Sequence, residues 1–167
     1  MSVLDYTKLC PEQSAKTVEA LAQLLADMQV FYTNLRGFHW NVKGCEFYQL
    51  HAYFESTYEA YATHIDDVAE RILQLGGSPD SHFSTYLKMA KVQEQCSKCL
   101  DGRGMLKNVL DTLSFLANEE RTLLTSLDAK DAATADLLTG FIAEQEKAIW
   151  MLVAMLDGGE CCCKDKK

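Results

Sequence analysis

The stretch Phe47-Tyr48-Gln49-Leu50-His51-Ala52-Tyr53-Phe54-Glu55-Ser56-Thr57-Tyr58-Glu59-Ala60-Tyr61-Ala62-Thr63-His64-Ile65-Asp66-Asp67-Val68-Ala69-Glu70-Arg71-Ile72-Leu73-Gln74-Leu75-Gly76-Gly77 decides the architecture of the chain. Phe47, Leu50, Phe54, Tyr58, Tyr61, Ile65, Val68, Ile72 and Leu75 recur every three or four residues, the period of one face of a helix. The spacing predicts a helix of about eight turns, closed by Gly76-Gly77 because glycine tolerates the left-handed backbone that ends helices. Before it, Val18, Leu21, Leu25, Met28, Tyr32, Leu35 and His39 step by three and four from a start after Pro11, with Glu12 in the opening turn. His39 therefore lies on the buried stripe of a first helix, and Val42-Lys43-Gly44-Cys45 is the break between the two.

After it, Ser78-Pro79-Asp80-Ser81 opens a long connection in which residues 83–92 hold a short helix and Gly102 and Gly104 mark the end. Leu106, Val109, Leu110, Leu113, Leu116, Leu123 and Leu127 form a third stripe, and Leu138, Ile142, Ile149, Leu152 and Leu156 a fourth. Strand signal is slight. Two helix pairs with short internal links and one long crossover between helices two and three match the ferritin-like form of the four-helix bundle, an all-α fold. Residues 1–157 make one such domain, and the Cys/Lys-rich segment 158–167 reads as a flexible tail.

With 48% hydrophobic residues in 167, the chain buries a core without cross-links. Its formal charge of -8 argues against binding nucleic acid by bulk electrostatics, which needs a basic face; Lys164, Lys166 and Lys167 are few against it. DNA binding is expected to be weak or absent. No apolar run is long enough to span a membrane, and Met1 to Asp5 lack a signal peptide's basic and apolar regions, so a soluble cytoplasmic protein is expected. The seven cysteines, odd in number, read as reduced thiols. Cys96-x-x-Cys99 alone is a weak zinc or redox signal, and Cys161-Cys162-Cys163 falls in the tail.

Imidazoles and carboxylates at helical spacing point to a metal site of nitrogen and oxygen ligands, suited to iron, manganese or zinc. His51 and Glu55 share a helix face, and Asp66 and Glu70 repeat the spacing further along. Fifteen residues separate His51 from Asp66, about 22 Å of helix rise, too far for side chains to meet around one ion. The four nonetheless fall within an arc of about 100°. A two-fold axis that sets two such helices antiparallel would bring His51 of one subunit to Asp66 and Glu70 of the other. The Glu-x-x-His motif of an intrasubunit di-iron site is absent, since the residues three before His39, His51, His64 and His82 are Arg36, Tyr48, Tyr61 and Pro79. Glu55 reads as a ligand, a group supporting one, or an ordinary surface carboxylate. Asp67 and His64 read as solvent-facing polar positions, and Trp150 as packing.

His39-Trp40, His51 twelve residues on, the run His64 to Pro79 and Ala148-Ile149-Trp150-Met151-Leu152 resemble the Dps family of mini-ferritins, DNA-binding proteins from starved cells. The resemblance implies a hollow homododecamer that oxidises Fe(II), preferably with hydrogen peroxide rather than O2, and stores the ferric product. It places ferroxidase sites between two-fold-related subunits, built from His39, His51, Asp66 and Glu70 with Trp40 beside them and two irons each. Where the family has Asp four residues after the second histidine, this chain has Glu55. Asp128, Asp131 and Asp136 resemble in position the acidic lining of the family's three-fold pores. Enzyme and iron store is thus the leading reading, and a DNA-compacting protein with secondary metal binding the alternative.

Overall fold

The computed structural model describes residues 1–157; the expected tail, with Cys161 to Cys163 and its lysines, lies outside the described residues. Six helices follow in order: α1 (Val3–Thr7), α2 (Pro11–Asn41), α3 (Phe47–Gln74), α4 (Phe83–Met89), α5 (Gly102–Ser126) and α6 (Ala132–Asp157), with a 3-10 turn at Ser97–Cys99 between α4 and α5. No strand occurs among the described residues. The four long helices are those expected, in an all-helical bundle. The periodicity of apolar residues does not foretell α1, because that helix buries nothing: it is held by a capping box in which Ser2 accepts from Leu4 N while Asp5 accepts from Ser2 N. α2 begins at Pro11 itself, where the missing N–H costs no helical bond.

α2 and α3 run antiparallel. Phe38 meets Phe54, and Phe31 meets Tyr61 edge-on with centroids 4.7 Å apart, so the two residue numbers move in opposite directions along the pair. α3 is likewise antiparallel to α6, since Arg71 contacts Thr134 while Tyr61 contacts Gln145. The core between the helices holds Leu21, Leu25, Met28, Phe31, Leu35 and Phe38 of α2, Phe54, Val68 and Ile72 of α3, Val109, Leu113 and Leu116 of α5, and Leu138 and Leu152 of α6. Burial of each large side chain contributes on the order of 1.5–3 kcal/mol before chain entropy is counted. Glycine lets α5 start close to α3: a Cβ on Gly102 would lie 2.5 Å from Leu50 Cδ1, so the buried Leu50 side chain would have to shift.

The crossover between α3 and α5 returns along α2 and is fastened to it by a row of polar side chains. Gln23 donates to the Met89 carbonyl, Asp27 accepts from the N–H groups of Lys91 and Val92, Asn34 donates to Gln93 O and accepts from Gln95 N, and Asn41 donates to Ser97 Oγ. Asp27, Asn34 and Asn41 are seven residues apart, two turns of helix, so they form one stripe that captures extended backbone at regular intervals. This capture also explains why α4 stops at Met89 instead of reaching Val92. Asp27 binds the very amides that would continue the helix.

Two expectations fail here. Cys96 and Cys99 are joined as a disulfide that closes the 3-10 turn, not held as reduced thiols; their spacing puts the sulfurs within bonding reach once the turn forms. Trp150 is 69% exposed on the described chain, so it does not pack within its own subunit.

Candidate metal centre

The C-terminal turn of α2 and the N-terminal turn of α3 bring His39 and His51 face to face, with ring centroids 3.8 Å apart and planes inclined by 19°. The pair is locked reciprocally: His39 Nδ1 donates to the His51 carbonyl at 3.0 Å, and His51 Nδ1 donates to the His39 carbonyl at 2.9 Å. A carbonyl only accepts, so each Nδ1 carries hydrogen, and in the neutral form of either ring the lone pair lies on Nε2. This is the arrangement that prepares a histidine for a metal, with the ring oriented and its tautomer fixed by a backbone acceptor. Phe47 stacks on His51 at 4.9 Å and the Tyr58 ring meets His39 edge-on, which leaves the imidazoles little room to rotate.

Trp40, beside His39, is 64% exposed, and the Arg36 guanidinium lies over its ring at 4.8 Å. Glu55, Asp66 and Glu70 are all exposed on α3. Among the described residues no group of three or more His, Cys, Asp or Glu side chains comes together within the chain. The single subunit therefore brings His39 to His51 and does not bring Asp66 or Glu70 to them.

His64 departs from the solvent-facing position expected of it. It is buried, its Nε2 lies 3.1 Å from Glu144 Oε2 across the α3–α6 groove, and its ring packs on Phe141 at 4.4 Å. Burial pulls its pKa below the ordinary histidine value, partly offset by Glu144. The signal lay in the sequence: His64 is three residues beyond Tyr61 and four before Val68, hence on the core stripe.

The three candidate pore aspartates separate. Asp131 is 5% exposed; its Oδ1 accepts from Arg71 Nη2 at 2.6 Å and from Thr134 N, and its Oδ2 accepts from Thr134 Oγ1. It caps α6 and ties it to α3, so both of its oxygens are engaged within the chain. Asp128 is half-buried and accepts from Lys130 N, while Asp136 is exposed.

Periodicity also passed over Glu120, which is fully buried. Gln145 Nε2 donates to its Oε1 at 2.9 Å and makes a longer contact to Tyr61 Oη, while Glu120 Oε2 has no partner. Burial raises the carboxyl pKa to about 8, against smaller lowering effects of Gln145 and Arg121. It lies one turn beyond Leu116 and Ala117 and one turn before Leu123, again a register clue.

A family model for the ferritin-like domain matches residues 18–161. The DNA protection during starvation protein of Porphyromonas gingivalis is 48% identical over 153 residues, covering 91% of this chain and 96% of the relative. DNA protection during starvation protein 2 of Bacillus anthracis is 38% identical, covering 85% and 97%. The crystal structure of a Dps protein from Vibrio cholerae O1, described as a ferritin-like diiron-carboxylate protein, superposes with a TM-score of 0.86 at 44% identity, covering 89% of this chain and 93% of that one. The bundle is thus a ferritin-like domain. Within that class, the chain belongs to the Dps family.

Proposed function

We propose that the protein oxidises Fe(II) with hydrogen peroxide, or more slowly with O2, at sites shared between two-fold-related subunits, and stores the ferric product in a hollow homododecamer. The observation that carries the reading is the locked His39–His51 pair with both Nε2 lone pairs available, on a chain whose matching carboxylates Asp66 and Glu70 stand exposed about 22 Å and about 28 Å further along α3 from His51. Fe(II) as substrate would be held by the imidazoles of one subunit and by Asp66 and Glu70 of the partner subunit, and Glu70 could join two ions. Glu55, one turn from His51, supplies a further carboxylate. Trp40, next to His39 in the chain, would give up a single electron when one ion alone is bound.

Two ferrous ions supply the two electrons that convert one peroxide to water, which avoids release of a hydroxyl radical. Asp128 and Asp136 are the carboxylates left to draw cations toward a three-fold pore. Assembly is supported by large apolar side chains left on the surface of the single chain: Trp40, Tyr48, Phe83, Trp150 and Met151 are each more than half exposed. The formal charge of -8 favours the iron-handling reading over the alternative of a DNA-compacting protein, and no helix of the described residues is long and apolar enough to cross a membrane.

Anaerobic loading with Fe(II) followed by peroxide titration tests the reading. About two irons oxidised per peroxide with little spin-trapped radical is expected from the electron count. A ratio near one with abundant radical contradicts it. A gel shift that survives physiological salt would favour the DNA-compacting alternative.

A further inference from the structure

The crossover contains a group the iron chemistry does not use. Cys96 and Cys99 form a disulfide with both residues exposed, and Lys98 lies between them, also exposed. A cross-link of this kind stabilises a fold by restricting the unfolded chain, and the restriction grows with the loop it closes. Here the loop is a single 3-10 turn, already closed by the backbone bond from Cys99 N to Cys96 O at 2.9 Å. Nor does the disulfide fasten the crossover to the bundle. Asp27, Asn34 and Asn41 do that through Lys91, Val92, Gln93, Gln95 and Ser97, and within the turn Ser97 is seated against α2, its Oγ accepting from Asn41 while Gly37 leaves room for it. The sulfurs stand on the solvent side of a turn whose other face is anchored.

We propose that Cys96 and Cys99 are a redox-active dithiol–disulfide centre that exchanges with dithiols at the protein surface. An incoming thiolate attacks one of the exposed sulfurs, the Cys96–Cys99 bond breaks, and a mixed disulfide forms. The second thiol of the donor then displaces the protein sulfur. Two electrons and two protons pass to the protein, which becomes the dithiol, while the donor leaves as its disulfide. Because the turn is held by Ser97 and the flanking amides, the exchange proceeds without opening the bundle.

The centre is tested with dithiothreitol on the intact, folded protein. Samples equilibrated at graded ratios of reduced to oxidised dithiothreitol are quenched in acid and alkylated, and the peptide spanning residues 96–99 is weighed, which separates it from the other cysteines. The expected result is reversible, paired gain of two alkyl groups in native protein, with oxidised dithiothreitol restoring the disulfide. A disulfide that resists reduction until denaturant is added, or thiols that never pair, overturns the proposal. The double variant Cys96→Ser with Cys99→Ser supplies a second readout. Its melting midpoint is expected within about 3 °C of wild type; a larger fall marks a structural cross-link and overturns the proposal as well.

Discussion

At the scale of single residues, the buried carboxyl of Glu120 sets a pH dependence. Its pKa in the fold is about 8 against an ordinary 4.5, so between those values the folded protein holds a proton that the unfolded chain has lost. Stability from this group is therefore complete below pH 4.5 and declines as pH rises, until the folded carboxyl ionises near 8. Glu120→Gln keeps an acceptor for Gln145 Nε2 and offers an N–H to Gln145 Oε1, which lacks a partner. The advantage of the variant over wild type, from urea midpoints, is expected to grow by up to about 4 kcal/mol between pH 5 and pH 8. A difference that stays flat contradicts the neutral-carboxyl account. At the candidate metal centre, His51→Ala removes one Nε2 and frees the His39 carbonyl, while His39 Nδ1 keeps the backbone carbonyl of residue 51, so Fe(II) oxidation by peroxide is expected to fall at least about ten- to a hundredfold in stopped-flow measurements. The histidines were legible because helical register alone put His39 on a buried stripe. Their reciprocal bonds were not, because they depend on the angle at which the short Val42–Glu46 link returns the chain.

At the scale of elements, the join between α3 and α6 separates two roles that look alike in sequence. Asp128, Asp131 and Asp136 are all carboxylates around the start of α6, yet only Asp131 is paired with Arg71 and bonded twice to Thr134. Removing one partner of a buried ion pair leaves the other uncompensated, which costs about 3–5 kcal/mol. Arg71→Ala is thus expected to lower the unfolding free energy by about 3 kcal/mol in denaturant titration. Asp128→Asn with Asp136→Asn is expected to leave stability within about 0.5 kcal/mol and slow iron uptake. Unchanged uptake would remove the pore assignment. The crossover shows a related limit of sequence reading. Its length and short helix were evident from Pro79 and the glycines, while its course was hidden in Asp27, Asn34 and Asn41. Polar residues at seven-residue spacing on a long helix look solvated until the segment they bind is known. Asp27→Ala strands the amides of Lys91 and Val92 and is expected to cost about 2 kcal/mol, with faster hydrogen exchange confined to the crossover.

At the scale of the whole molecule, the fold follows from four apolar stripes and their connections and the family from the motifs around His39, His51 and His64 to Pro79, and the ferritin-like match over residues 18–161 agrees with them. Among the described residues, one chain brings together no group of three or more His, Cys, Asp or Glu side chains able to hold a metal ion. His39 and His51 meet across a turn, while Asp66 and Glu70 stand near the far end of α3, and the helix is too straight and too long to bring them together. Helix rise alone made this separation legible; the surface that would complete the proposed site is not legible in a single sequence, where exposed aromatics such as Trp40 and Trp150 are the one sign of it. The shared site is tested most directly by mixing subunits that carry His39→Ala and His51→Ala with subunits that carry Asp66→Asn and Glu70→Gln, after dissociation and reassembly. Each population alone is expected to be inactive. In an equal mixture half of the interfaces pair unlike subunits and each restores one site of two, so about a quarter of wild-type ferroxidase activity is expected. Hybrids shown to have formed by mass, yet with no recovered activity, would contradict the shared site.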